Sequence, residues 1–263
     1  MDTIQLLGYI GALVVGLVLG LIGGGGSILT VPLLVYLLSY NPVVATAYSL
    51  FVVGTTSMVG TYQKHKKGLV DFKTGLAFSF PSFIAVYLSR RYLVSGIPDT
   101  LLTIGNYTLT KDMGIMVFFG LIMILASYSM IKTRKDNNTL AKNQAYYKTF
   151  FQGIIIGGIT GVIGAGGGFL YVPALVLWAN IPMKKAVGTS LVIVTINSLM
   201  GFIGDVQTLE IEWAFLLTFT LISIVGIIIG VFLSKFISGK KLKKSFGIFT
   251  LIMAIYIVYR EVI

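Results

Sequence analysis

The chain has 263 residues, 56% of them hydrophobic and only 11% charged, where soluble domains carry about 45 to 50% apolar and about 25% charged residues; a water-soluble globular fold is excluded. The formal charge of +11 would suggest nucleic acid on a globular surface. Here Lys and Arg fall almost entirely between apolar runs, as on the cytoplasmic loops of membrane proteins, so no nucleic-acid partner is expected. The absence of cysteine excludes disulfides, thiolate metal sites and cysteine nucleophiles.

In chain order, the first apolar run, Ile4 to Ile22, follows a start without basic residues; a cleavable signal has a basic start, so this run is expected to be retained. It leads into Gly23-Gly24-Gly25-Gly26-Ser27 and a short apolar stretch, Ile28 to Leu38. Val43 to Gln63, Thr74 to Ser89 and Met113 to Ile131 follow, each near membrane-spanning length. A second glycine run, Gly164-Ala165-Gly166-Gly167-Gly168, precedes Phe169 to Ala179, and then come Ala186 to Gly204, Ile211 to Ser234 and Ser245 to Ile263. No stretch remains for a separate soluble domain, so residues 1–263 are read as one all-α polytopic transmembrane domain with lipid as its solvent.

An internal repeat organises the chain. Gly16, Gly20, Gly23, Gly25 and Gly26 recur as Gly157, Gly161, Gly164, Gly166 and Gly167 at a constant offset of 141. Val31-Pro32 pairs with Val172-Pro173, Ser49-Leu50 with Ser190-Leu191, and Ser57 with Ser198 at the same offset. Repeat one is placed at 1–140 and repeat two at 141–263. Each short segment after a glycine run has 11 residues, too few at about 1.5 Å per residue to cross about 30 Å of hydrocarbon. If each glycine segment is one broken crossing, Lys and Arg divide 10 against 10 between the two sides. If each turns back, they divide 16 against 4, with only Arg90, Arg91, Lys111 and Arg260 opposite the rest. The positive-inside rule therefore selects a re-entrant or hairpin segment plus about three spanning helices per repeat. The second repeat then begins on the opposite face, giving two inverted repeats, an arrangement used by secondary transporters.

Consecutive glycines cost about 1 kcal/mol each in a helix and are expected to break it. The runs lack the Gly-Lys-Ser/Thr of phosphate loops and the dinucleotide fingerprint, so no nucleotide cofactor is expected. Gly16, Gly20, Gly157 and Gly161 suit close helix packing instead. Broken backbone at membrane depth lines a polar cavity or is buried in protein, and the helix after a break offers N–H groups and a positive dipole end to an anion. Gly23, Gly24, Gly25, Gly26 and Ser27, with Gly164, Gly166, Gly167 and Gly168, are therefore candidate anion contacts. Ser49, Ser57, Thr189, Ser190, Asn197 and Ser198 are polar candidates from the neighbouring spans. Serine and threonine also bond back to their own helix; the Asn197 amide is the most costly to leave unpaired in lipid. All nine acidic residues lie near span ends or in links, and His65 lies in a basic link, so no proton relay, catalytic group or metal site is expected. An anion leaving an inside-negative cell gains about 2.3 kcal/mol per charge per 100 mV, so export needs no coupling ion.

Gly20 to Pro32 and Gly161 to Pro173, the latter followed by Ala186-Val187-Gly188-Thr189-Ser190-Leu191, resemble the doubled motif of the sulfite exporter TauE/SafE family of membrane permeases. The resemblance covers nearly the whole chain and implies transport of sulfite or an organosulfonate across the bacterial inner membrane. A transporter or channel for another small solute stays open as an alternative. A membrane-embedded enzyme or assembly subunit is disfavoured, because the spans lack paired carboxylates, clustered histidines or a nucleophile beside a base.

Overall fold

The computed structural model describes residues 3–94, 96–104, 107–131, 146–163, 168–179, 181–207 and 209–262. Among the described residues ten α-helices carry the fold: α1 Thr3–Ile22, α2 Gly25–Pro32, α3 Pro42–His65, α4 Phe72–Leu88, α5 Lys111–Ile131, α6 Tyr146–Ile163, α7 Gly168–Leu177, α8 Met183–Asp205, α9 Trp213–Leu233 and α10 Gly239–Val262. Six of them, α1, α3, α5, α8, α9 and α10, are long and apolar enough to cross a membrane. Their outward surfaces are apolar, with Leu125, Leu221 and Ile252 each more than 60% exposed, as lipid solvation requires. The protein is an all-α multi-pass membrane protein.

The chain reverses at the first glycine run. Gly23 N donates to Leu19 O at 2.7 Å to close α1, and Gly23 adopts φ +80°, which glycine takes without steric cost. The return arm lies antiparallel to α1: Gly26 faces Leu19, Gly11 faces Leu33, and Gly8 faces Leu38. The segment comes back to the level at which it entered, so the hairpin is the geometry adopted. At Pro32 the ladder loses a donor, and the arm continues as π-helical turns over Leu33–Leu37.

The duplication extends into hydrogen bonds beyond the reach of sequence identity. Tyr40 N donates to Leu34 O and Ile181 N to Leu175 O; Ala45 N donates to Asn41 O and Ala186 N to Pro182 O; Gly75 N donates to Asp71 O and Leu216 N to Glu212 O. Each pair is separated by 141 positions. Packing follows the same exchange. Helix α1 packs on α9 as α4 packs on α6, and α3 on α9 as α8 on α4, while α3 with α8 and α5 with α10 pair with their own counterparts. Glycines make the closest of these contacts. A Cβ at Gly20 would sit 2.6 Å from Ile227 O, and one at Gly161 2.8 Å from Val86 O, in line with their reading as packing positions.

Some features depart from the sequence reading. Strands β1 Thr100–Ile104 and β2 Tyr107–Thr110 form an antiparallel ribbon in the link after α4, where no strand was expected. Helix α4 is extended by π-helical turns over Ser89–Val94. Lys64, read as part of a basic link, lies in the last turn of α3 and is buried.

Candidate functional site

The starts of α2 and α7 meet. Gly24 is the N-cap of α2 and has no side chain to cap it; Gly168 opens α7. A Cβ at Gly168 would lie 2.6 Å from Gly24 Cα, and one at Gly24 would collide with the Gly168 carbonyl. Two helix starts therefore touch through backbone alone, a distance that only glycine permits. Gly25 and Gly26 form the first turn of α2 and Ser27 follows within it. Gly164, Gly166 and Gly167 lie outside the described residues.

Helices α3 and α8 cross antiparallel beside this contact. Gly54 faces Leu199 and Gly60 faces Leu191, which sets Thr56 level with Asn197. Asn197 is 1% exposed. Its Nδ2 donates to Ser82 Oγ at 2.8 Å and to Tyr171 Oη at 2.6 Å. Ser82 and Tyr171 are 2.9 Å apart, and Thr160 Oγ1 lies 3.3 Å from Tyr171 Oη. One buried polar network thus joins α4, α6, α7 and α8, three residues after the Gly168 break. Among the described residues, Asn197 Oδ1 and the hydroxyls of Ser49, Thr56 and Ser57 have no hydrogen-bond partner, although all four residues are buried. Buried polar groups left unpaired are costly.

The remaining candidates separate. Ser190 Oγ donates to Gly23 O and to Val187 O, both at 2.9 Å, and so ties α8 to the break. Ser198 is buried on α8 near Asn197. Thr189 Oγ1 accepts from Asp71 N at 2.9 Å and lies at the start of the α4 link, tying that link to α8. Ser49 follows Tyr48, whose hydroxyl accepts from Glu212 N at 2.7 Å at the opposite end of α3. Ser82, Thr160 and Tyr171 were not singled out in the sequence, because the candidate hydroxyls came from the spans that follow the glycine segments, and these three lie on α4, α6 and α7.

Charge is divided between the two ends. Lys64 donates to Ser234, Lys67 to Val231 O, and Lys185 pairs with Asp71 at 3.6 Å, which gathers the links after α3 and α9 with the start of α8. Gly239 lies against Met183 and brings the basic start of α10 to the same end. At the other end Tyr40 Oη donates to Glu212 at 3.0 Å and Tyr36 Oη to Glu261 at 2.6 Å. Burial and the Glu212 carboxylate push the Tyr40 hydroxyl pKa above its usual range. A cavity of about 710 Å³ opens here between Tyr9, Leu38, Tyr40, Glu212 and Phe215.

Apolar spans, a helix broken at paired glycines and a polar network inside the bundle define a membrane transporter. The sulfite exporter TauE/SafE family model matches residues 9–257, and the chain belongs to that family. It is 29% identical over 254 residues to a "Probable membrane transporter protein" of Xylella fastidiosa (strain 9a5c), covering 94% of this chain and 92% of that one. It is also 29% identical to the "Probable membrane transporter protein YunE" of Bacillus subtilis (strain 168), covering 78% and 79% of the two chains.

Proposed function

We propose that this permease moves a small sulfur-containing anion, sulfite or an organosulfonate, between the two glycine breaks, in the direction of export. The observation that carries this reading is the backbone contact of Gly24 with Gly168. It brings together two helix starts, each with N–H groups that lack intrahelical partners, and among the described residues no acidic side chain lies at that contact. The unpaired hydroxyls of Thr56 and Ser57 line the approach, with Ser190 and Ser198 beside them. An oxyanion accepts from hydroxyls and N–H groups alike, so no fixed positive charge is needed to hold it. The breaks touch in this conformation, and passage requires the return arms α2 and α7 to separate. The family name supports the sulfur oxyanion, and the basic end of the bundle supports loading from the cytoplasm, since clefts of one sign raise the local concentration of opposite charge.

The halves are read as inverted repeats, supported by the antiparallel course of α3 and α8, equivalent helices in the two repeats. Cysteines introduced at Ser39 and Gln207 are expected to react from one side of the membrane, and those at Lys66 and Ser238 from the other. The function is tested by flux of labelled sulfite and of a sulfonate in proteoliposomes under an imposed potential. Saturable, potential-sensitive flux that Gly24→Leu abolishes is the expected result. Folded protein that carries neither anion would send the substrate back to the wider class of small solutes.

A further inference from the structure

One cation at the basic end is unlike its neighbours. Lys64 is only 2% exposed, whereas Lys66, Lys67 and Lys235 are exposed. Its Nζ donates to Ser234 Oγ at 2.7 Å, and that hydroxyl donates onward to Val231 O at 2.9 Å. Lys67 Nζ reaches the same carbonyl at 3.3 Å. Lys67 and Lys184 both press like charge on Lys64. Among the described residues no carboxylate lies within ion-pair distance of it; Asp71 is engaged by Lys185 at 3.6 Å and caps α4 through Thr74 N.

A lysine is almost never fully buried without a counter-charge, because desolvation of an ammonium is repaid only by a close anion and satisfied donors. The Ser234 hydroxyl and the carbonyl end of the α9 dipole answer part of this need. An ammonium has three donors, and the like charges nearby increase the demand for an anion. A cap on α9 needs no burial, since Lys235 in the same turn stays exposed.

We propose that Lys64, Lys67 and Ser234 form an oxyanion site at the basic end of α3 and α9, filled by a free oxyanion such as sulfite or phosphate, or by the phosphate of an anionic lipid. Lys64 and Lys67 supply charge and N–H donors, and the Ser234 hydroxyl supplies a rotatable donor that turns from Val231 O to the ligand. The site shares no residue with the glycine breaks and deepens the permease reading, on which the choice of sulfite as a probe rests.

The test uses the full chain in detergent micelles. Binding of labelled sulfite and of labelled phosphate is measured by equilibrium dialysis, and phospholipid retained per protein is measured by mass spectrometry after extraction. Lys64→Met is expected to weaken whichever ligand is held by at least about tenfold, and Lys67→Gln by about threefold, with Lys64→Arg restoring part of the loss. Saturable binding of the free anions identifies a solute site; retained anionic phospholipid without such binding identifies a lipid-phosphate site. Absence of both ligands, or binding unchanged in both Lys64→Met and Lys67→Gln, overturns the proposal and leaves Lys64 as a cap on α9. Should Lys64→Met fail to fold, the exposed Lys67 position still decides the matter. Binding retained in an Asn197→Leu protein that no longer transports separates the two readings, because flux then fails while this site stands; flux without binding in the natural chain does the reverse.

Discussion

Asn197 and Thr56 occupy equivalent positions in the two halves, level with each other where α3 crosses α8, yet their surroundings differ. Asn197 works with Ser82, Tyr171 and Thr160. Counting 141 positions from each of these four gives Thr56, Ser223, Thr30 and Leu19. Around Thr56, Thr30 bonds back to Gly26 O at 2.7 Å and Ser223 to Ala12 O at 3.0 Å, and among the described residues no hydrogen bond joins these side chains. Packing is duplicated all the same: Gly157 lies against Ser82 as Gly16 lies against Ser223. Duplication preserved the close helix contacts, which depend on small residues and backbone shape, while the polar equipment became one-sided. A symmetric scaffold thus carries an asymmetric polar interior.

The largest effect is expected where both halves take part equally. Gly24→Leu forces a side chain into the Gly168 backbone, and overpacking of this kind costs about 1 to 3 kcal/mol; flux is expected to fall to background with reduced folded yield. Gly96→Ala, with nothing near its Cβ, is the matching control. Asn197→Leu removes the donor shared by Ser82 and Tyr171 and is expected to destabilise by about 1 to 3 kcal/mol in thermal unfolding. Thr56→Val removes a hydroxyl with no partner among the described residues and is expected to stay within about 0.5 kcal/mol. Equal losses at both positions would break the comparison and make the two half-sites equivalent. Tyr171→Phe is expected to cost about 1 kcal/mol, against a few tenths, roughly, for Thr30→Val, whose bond stays within its own helix.

The smallest effect concerns pH. Burial, followed by the Lys235 charge, holds the Lys67 ammonium below its ordinary pKa of 10.5. The folded chain therefore binds fewer protons there than the unfolded chain just below 10.5, and stability rises with pH through that window. A modest rise in unfolding temperature as the pH climbs toward 10.5 is expected, and Lys67→Gln is expected to flatten it.

Much of the fold was legible because membrane spans are written in runs of apolar residues, and the glycine runs at a fixed offset disclosed the duplication. Charge counting selected the hairpin, and the packing of Gly8 against Leu38 agrees with that choice. The ribbon at Thr100–Thr110 was missed because its short alternating stretch lies in a link that was read for charge alone. The burial of Lys64 was missed for a related reason. A lysine at the end of a span reads as a solvated link residue until the C-terminus of α9 is seen to cover it.

The sequence by itself determined that the chain lives in a bilayer and that a motif around two glycine runs recurs at one fixed offset, since each of these follows from local composition and spacing. Only the tertiary structure decided that Gly24 meets Gly168, that Asn197 shares its amide with Tyr171 and Ser82, and that Lys64 is buried among other cations. Those contacts join residues up to 170 positions apart on different helices, and they arise from how the helices pack rather than from any pattern within one of them.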